Sequence, residues 1–104
     1  MAKKKTTKKT KLKKSIPTVV KRGWHIEAYD ERKVYGSSYF SCRNAHLSQK
    51  EAERIAEKIA LQVTKFVSRK KYISSDDIFR FIIEELKKYD EDASFLYETH
   101  RDIS

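Results

Sequence analysis

The sequence predicts an α+β fold in which four helices form the body and a small β-sheet packs against them. Two short runs near residue 20 are rich in β-branched and aromatic residues, which is typical of strands. Four later segments place apolar residues at helical spacing, with one short extended run between the second and third. The predicted order is therefore β-β-α-α-β-α-α, and a length of 104 residues fits one domain.

The first two strands are predicted to form a hairpin. The sequences "TVVKR" (18–22) and "HIEAY" (25–29) are separated by Gly23 and Trp24. A two-residue loop with glycine in first place predicts a type II′ turn, which matches the twist of a hairpin. Trp24 then lies at an exposed turn, where it either stacks on a base or a partner or packs on its own hairpin.

The first two helices differ in the strength of their signals. Asp30 can cap a helix over 31–46, but Gly36 and three serines lower its helix propensity. Ser48 and Glu51 form a capping box that starts the second helix. Over about twenty residues this helix keeps its apolar side chains on one face. That face consists of Ala52, Ile55, Ala56, Ile59, Val63, Phe66 and Val67.

A short strand and two further helices complete the predicted fold. Residues 72–73 are expected to be extended, and Ser74 or Ser75 caps the third helix. The broad apolar surface of that helix predicts a central position in the bundle. In the last helix three residues are expected to face inward: Phe95, Leu96 and Thr99.

The net charge of +9 is concentrated at the start of the chain. Residues 1–14 contain eight lysines and no acid, which leaves 16 of the 24 Lys and Arg to balance 15 Asp and Glu. So polar a segment is expected to be disordered, which predicts a tail over 1–17 and a folded domain over 18–104. The tail either keeps the protein soluble or binds nucleic acid nonspecifically, through phosphates and without reading bases. Its lysines are Lys3, Lys4, Lys5, Lys8, Lys9, Lys11, Lys13 and Lys14.

Secreted and membrane-spanning proteins do not fit this pattern. The stretch "SIPTVV" (15–20) is too short for the apolar core of a secretory signal and is followed at once by two cations. No apolar stretch approaches the ~20 residues that a membrane-spanning helix needs. The sequence therefore predicts a cytoplasmic protein without a membrane partner.

The sequence also lacks the usual signs of catalysis and of metal binding. Cys42 is the single cysteine, so neither a disulfide nor a cysteine-based zinc site is predicted. His25, His46 and His100 lack metal-ligand spacing and are expected at surface or capping positions. No phosphate-binding Walker loop and no pair of nucleophile and base is present. We expect a protein that is not an enzyme and has no metal site and no redox cofactor.

Opposite charges crowd around the predicted hairpin. The run "VVKRGWHIEAYDERKV" (19–34) brings Lys21 and Arg22 close to acids and a further lysine. A phosphate chain is bound by Arg and Lys through charge-assisted hydrogen bonds. Backbone N–H groups at the start of the first helix would add positive potential. The plainer alternative is that these cations protect an edge strand from pairing with other chains.

Two later motifs accompany this run: "YISSDDI" and a last helix that ends in "YETHRD". Together they resemble the ATP-cone domain over residues 18 to about 102. In that family a three-stranded sheet lies over a four-helix bundle. The domain occurs at the N-terminus of ribonucleotide reductase large subunits and beside a zinc ribbon in the repressor of ribonucleotide reductase genes. The resemblance implies an adenine nucleotide, ATP or dATP, as ligand, with or without magnesium.

The resemblance also implies which residues hold the nucleotide. Lys21 and Arg22 resemble the cations that reach the phosphates. The further matches are Glu27, Tyr29, Asp30, Lys33, Val34, Ser75 and Arg101. An apolar slot for the adenine could come from Val19, Tyr29 and Val34. Two features depart from the family: the turn has Gly-Trp instead of Asp-Gly or Asn-Gly, and His100 stands where the family has tyrosine.

Three functional hypotheses follow. The first is a free-standing regulatory module that binds ATP or dATP and signals through its oligomeric state, as a homo-oligomer, or through a protein partner in trans. The second is a small basic nucleic-acid-binding protein, resembling a transcription regulator, in which the lysine tail supplies affinity. The third is an ATP-cone fold whose nucleotide site has decayed and which is kept for protein contacts.

Overall fold

The computed structural model describes residues 19–101 and confirms the predicted order of elements. The strands are β1 (Val19–Arg22), β2 (His25–Ala28) and β3 (Tyr72–Ser74). The helices are α1 (Glu31–Asn44), α2 (Gln49–Val67), α3 (Ser75–Lys87) and α4 (Glu91–Arg101). The disordered tail predicted over 1–17, with all its lysines, lies outside the described residues.

The three strands form one mixed sheet in the order β2-β1-β3. β1 pairs antiparallel with β2 and parallel with β3. Val20 and Ile73 lie side by side and are buried, so one face of the sheet rests on the helices. The loop between β1 and β2 has its positive φ, 62°, at Gly23 and not at Trp24, which agrees with the predicted type II′ turn.

Side chains cap all four helices at their starts, and for α4 the cap is Asp90, which accepts from the backbone N–H of Ala93 at 2.9 Å. Asp30 accepts from the backbone N–H of the residue two further on at 3.0 Å, and Ser48 accepts from the N–H three further on at 3.2 Å. Ser74, the last residue of β3, caps α3 at 3.0 Å. α1 ends in a Schellman motif, because His46 (φ 72°) and Leu47 donate back to carbonyls of the last turn. His46 is thus a capping residue, as predicted.

The core lies between α2 and the other helices. The predicted face of α2 is buried, apart from the half-buried Phe66 that stacks on Phe81 of α3 at 4.4 Å. Ile82 and Leu86 of α3 are buried as well, which confirms its central position. None of the helices within residues 19–101 combines the length and the apolar character that crossing a bilayer requires.

The orientation predicted for the last helix was wrong for two of its three residues, while Leu96 is partly buried. Phe95 is 66% exposed and Thr99 is exposed, whereas Ala93 and Ser94 are buried. Ser94 donates from Oγ to the carbonyl of Ile83 at 2.9 Å. These two small residues let α4 approach α3 closely, and the helical period then turns Phe95 outward.

Candidate functional site

A cavity of about 480 Å³ lies between the inner face of the sheet and helices α1, α3 and α4. Its volume is within the range of small-molecule sites in proteins. It is lined by Val20, Glu27, Ala28, Tyr29, Asp30, Lys33, Val34, Ser37, Phe40, Ser41, Ser75, Ile78, Phe79, Ile82, Tyr97 and His100.

One wall of the cavity is apolar. Val20 of β1 and Val34 of α1 are buried, and both belong to the core cluster. Ile78 and Ile82, one helical turn apart on α3, continue this wall. A flat apolar group such as a nucleobase can bury its faces here without leaving a charge unpaired.

The opposite rim is charged. Lys33, in the first turn of α1, donates from Nζ to Oε1 of Glu27 at 3.0 Å. Asp30, which caps the same helix, has a lowered pKa chiefly because its carboxylate accepts the backbone N–H of Arg32. Lys33 remains largely exposed, with 68% of its side chain accessible, so its ammonium group can reach an anion at the mouth of the cavity.

α4 closes the third side through two contacts with α1. The hydroxyl groups of Ser37 and Tyr97 are 3.0 Å apart and hydrogen-bonded. Phe40 and His100 meet edge to face, with ring centroids 5.4 Å apart. All four residues line the cavity, so the junction between α1 and α4 forms part of its wall.

Tyr29 links the cavity to the long helix α2. Its hydroxyl is hydrogen-bonded to Oγ1 of Thr64 at 3.0 Å, which fixes the ring at the end of β2. Burial raises the pKa of the Tyr29 phenol, so the side chain stays neutral and the ring can contribute apolar surface.

The structure brings most of the predicted nucleotide-binding residues to this cavity. Six of them line it: Glu27, Tyr29, Asp30, Lys33, Val34 and Ser75. Lys21 does not, because it lies exposed with its Nζ 5.0 Å from the centroid of the Tyr72 ring. Val19 and Arg22 lie on β1 and Arg101 ends α4, but their side chains are outside the described set.

The sequence reasoning missed part of the lining. Ser37 and Ser41 follow Val34 at helical spacing, and Phe79 and Ile82 follow Ser75 in the same way. This periodicity was visible in the sequence and could have extended the site from its predicted members. His100 was also misjudged, since it is half-buried at the cavity and packs on Phe40.

Within residues 19–101, no three His, Cys, Asp or Glu side chains are grouped so that they could hold a metal ion. A magnesium ion usually keeps several waters and binds through substrate phosphates together with one or two carboxylates. At this cavity Glu27 and Asp30 are the lining carboxylates, and Glu27 already accepts from Lys33.

The mixed sheet, the four helices and the cavity between them define a small α+β ligand-binding domain. The chain belongs to the ATP-cone family, because its residues 17–101 match the family model described as "ATP cone domain". Members of this family are nucleotide-binding regulatory modules.

Among curated proteins, the chain is similar to a transcriptional repressor, NrdR, from two strains of Clostridium kluyveri. Each is 29% identical over 90 residues, which covers 83% of this chain and 58% of the repressor. The chain thus spans little more than half the length of these relatives. No solved structure gives a significant match.

Proposed function

We propose that this ATP-cone binds ATP or dATP in the cavity between the sheet and helices α1, α3 and α4, and that it has no catalytic activity of its own. The observation that carries the proposal is the combination of an apolar wall with a charged rim in one cavity. The apolar wall suits an adenine, and the ammonium group of Lys33 at the rim suits a phosphate.

The lining residues fit the parts of a nucleotide. Val20, Val34 and Ile82 can enclose the base, while Lys33 offers its ammonium group to a phosphate in a charge-assisted bond. Glu27 is placed to accept hydrogen bonds from a ribose. Ser75 can donate its hydroxyl at the start of α3, where the helix dipole also favours an anion. Magnesium, where it takes part, would arrive with the phosphates.

The position of α4 supports a route for signalling. A nucleotide in the cavity contacts both partners of the Ser37–Tyr97 hydrogen bond, so its binding free energy depends on how α1 and α4 are packed. The outer surface of α4 exposes Phe95, which a partner can cover. We therefore propose that the nucleotide changes the oligomeric state or the affinity for a protein partner, as in control of ribonucleotide reductase or of its genes.

Isothermal titration of ATP and dATP into the full chain tests this proposal. The variant Ser37→Phe places a ring inside the cavity and should abolish binding, whereas Ser68→Phe, at an exposed serine, should not. Lys21→Ala serves to locate the phosphates, because Lys21 lies outside the cavity although family resemblance assigns it to them. Light scattering with and without dATP then reports the oligomeric state.

Absence of binding by the folded wild type up to millimolar nucleotide would overturn the proposal. The cavity would then be a decayed site, and the fold would serve protein contacts. Unchanged binding by Ser37→Phe would place the nucleotide elsewhere on the domain.

A second candidate function is nucleic-acid binding. The curated relatives carry the name of a transcriptional repressor, and residues 1–14 contain eight lysines without an acid. Such a segment can neutralise phosphates of any sequence. Deletion of residues 1–14 should then remove most of the affinity for DNA, and unchanged affinity would contradict this function.

A further inference from the structure

Two segments of the chain contain many cations and no acid. Residues 1–26 contain ten Lys and Arg, and the first acid of the chain is Glu27. Residues 58–75 contain five Lys and Arg, and they lie between Glu57 and Asp76. All fifteen acids therefore fall outside these two segments, although the segments are more than thirty residues apart in the sequence.

The parallel pairing of β1 with β3 brings the described parts of the two segments together. Val19 is paired with Tyr72, so the start of β1 lies beside the start of β3. At this end of the sheet the loop 68–71 leads into β3. The loop carries Arg69, Lys70 and Lys71, all exposed.

The outer face of the sheet continues this basic surface. Lys21 is exposed there with its Nζ 5.0 Å from the centroid of the Tyr72 ring, and Tyr72 is itself 63% exposed. Ile26, paired with Lys21, is 60% exposed. Glu27, the nearest acid along β2, instead lines the cavity beneath the sheet. Lys21, Ile26, Tyr72 and the loop 68–71 thus form one surface, which we call the outer basic face.

We propose that the outer basic face binds nucleic acid. Its cations can contact phosphates, and the exposed ring of Tyr72 offers a flat surface on which a base of a single strand can stack. A partner with regularly spaced negative charges and flat apolar groups complements both features of the face.

This face is separate from the nucleotide cavity. The cavity lies under the inner face of the sheet, where Val20 and Ile73 are buried, while Lys21 and Tyr72 belong to the exposed outer face. Nucleic-acid binding therefore does not require the proposed nucleotide function, and the failure of either can be recognised without the other.

Fluorescence anisotropy with labelled DNA, using the full chain, tests the proposal. The variant Arg69→Gln/Lys71→Gln removes two cations of the outer basic face, and Lys50→Gln/Lys87→Gln removes two exposed lysines elsewhere. For duplex DNA the slope of log affinity against log salt should fall by about 1.8 in the first variant. Affinity at about 0.1 M salt should then fall roughly 10- to 60-fold. The second variant should bind like the wild type.

The stacking role of Tyr72 has its own test on single-stranded DNA. Tyr72→Ala should weaken binding roughly 5- to 150-fold, the range for loss of one stacked base. Tyr89→Ala, at an exposed tyrosine outside the face, should leave binding unchanged. Circular dichroism of each variant verifies that the fold is retained.

Equal binding by Arg69→Gln/Lys71→Gln and its control would overturn the proposal. The proposal would also be overturned if Arg69→Gln/Lys71→Gln weakened binding to vesicles of phosphatidylserine and phosphatidylcholine, or to polyglutamate, but left binding to DNA unchanged. In those cases the face would serve an anionic membrane or an acidic protein.

Discussion

Lys33 and Glu27 form an ion pair of 3.0 Å that joins the first turn of α1 to β2 at the rim of the cavity. The side chain of Lys33 is largely exposed, so this pair contributes at most about 1 kcal/mol to folding. Its main effect is to hold the ammonium group of Lys33 over the cavity mouth. Stability and ligand binding should therefore respond differently to its loss.

Lys33→Gln is expected to leave the free energy of unfolding nearly unchanged and to weaken ATP binding by roughly 10- to 100-fold. The second effect corresponds to the loss of one charge-assisted hydrogen bond to a phosphate, about 1.5–3 kcal/mol. Lys88→Gln is the matched control, because Lys88 pairs with Glu85 at 2.9 Å away from the cavity. Urea unfolding and isothermal titration measure the two quantities, and full ATP affinity in Lys33→Gln would exclude Lys33 as a phosphate ligand.

The two glycines should respond in opposite directions to the same substitution. At both Gly23 and Gly36 an added Cβ would meet no atom within 4 Å, so only backbone conformation matters. Gly23 has a φ of 62°, and alanine there should lower the free energy of unfolding by about 1–2 kcal/mol. Gly36 lies within α1, and alanine there should raise it by about 0.5–1 kcal/mol. Thermal melting of both variants measures this, and a destabilised Gly36→Ala would contradict the assigned helix.

The elements that local chemistry determines were predictable from the sequence. Gly23, the first residue of a two-residue loop, predicted the turn, and the capping residues Asp30 and Ser48 predicted two helix starts. The inward face of α4 was not predictable in this way, because it depends on how closely Ala93 and Ser94 allow α4 to approach α3. That distance is set by both helices and is absent from the pattern of either.

The candidate site was predictable where its residues are close in sequence. Glu27, Lys33 and Val34 lie within eight positions and reach one cavity. The surroundings of Lys21 could not be predicted from the sequence, because they depend on the pairing of β1 with β3. In the structure Lys21 lies beside Tyr72. Tyr97 was missed because it is 60 positions from its partner Ser37, and only the packing of α4 on α1 brings the two together.

The hydrogen bond between Ser37 and Tyr97 should stabilise the contact between α1 and α4. Tyr97→Phe keeps the ring, which packs on Phe79 at 5.7 Å, and removes only the hydroxyl. The free energy of unfolding should fall by about 0.5–1.5 kcal/mol. Tyr39→Phe is the control on α1, where the tyrosine ring stacks on Tyr35. Equal stability of Tyr97→Phe and the wild type in urea would show that this bond adds nothing to the packing of α4.

The buried thiol of Cys42 should make stability depend on alkaline pH. Burial, assisted by the negative charges of Asp90 and Glu51, raises the pKa of this thiol from 9.0 to about 11. The folded protein then holds the thiol proton at pH values where the unfolded chain has lost it. Folding therefore opposes ionisation of the thiol. The stabilisation that this thiol contributes is fully present below about pH 9 and is lost as the pH rises through about 11.

Comparison with Cys42→Ala isolates this effect. Burial also raises the pKa values of Tyr29 and Tyr35, but these two tyrosines are present in both proteins. The difference in unfolding free energy between wild type and Cys42→Ala should shift by about 2 kcal/mol against the wild type between about pH 8 and about pH 10.5. Urea unfolding across this range measures the difference. A difference that stays constant with pH would mean that the thiol ionises as readily in the folded protein as in the unfolded chain, and that water reaches Cys42 between α1 and α2.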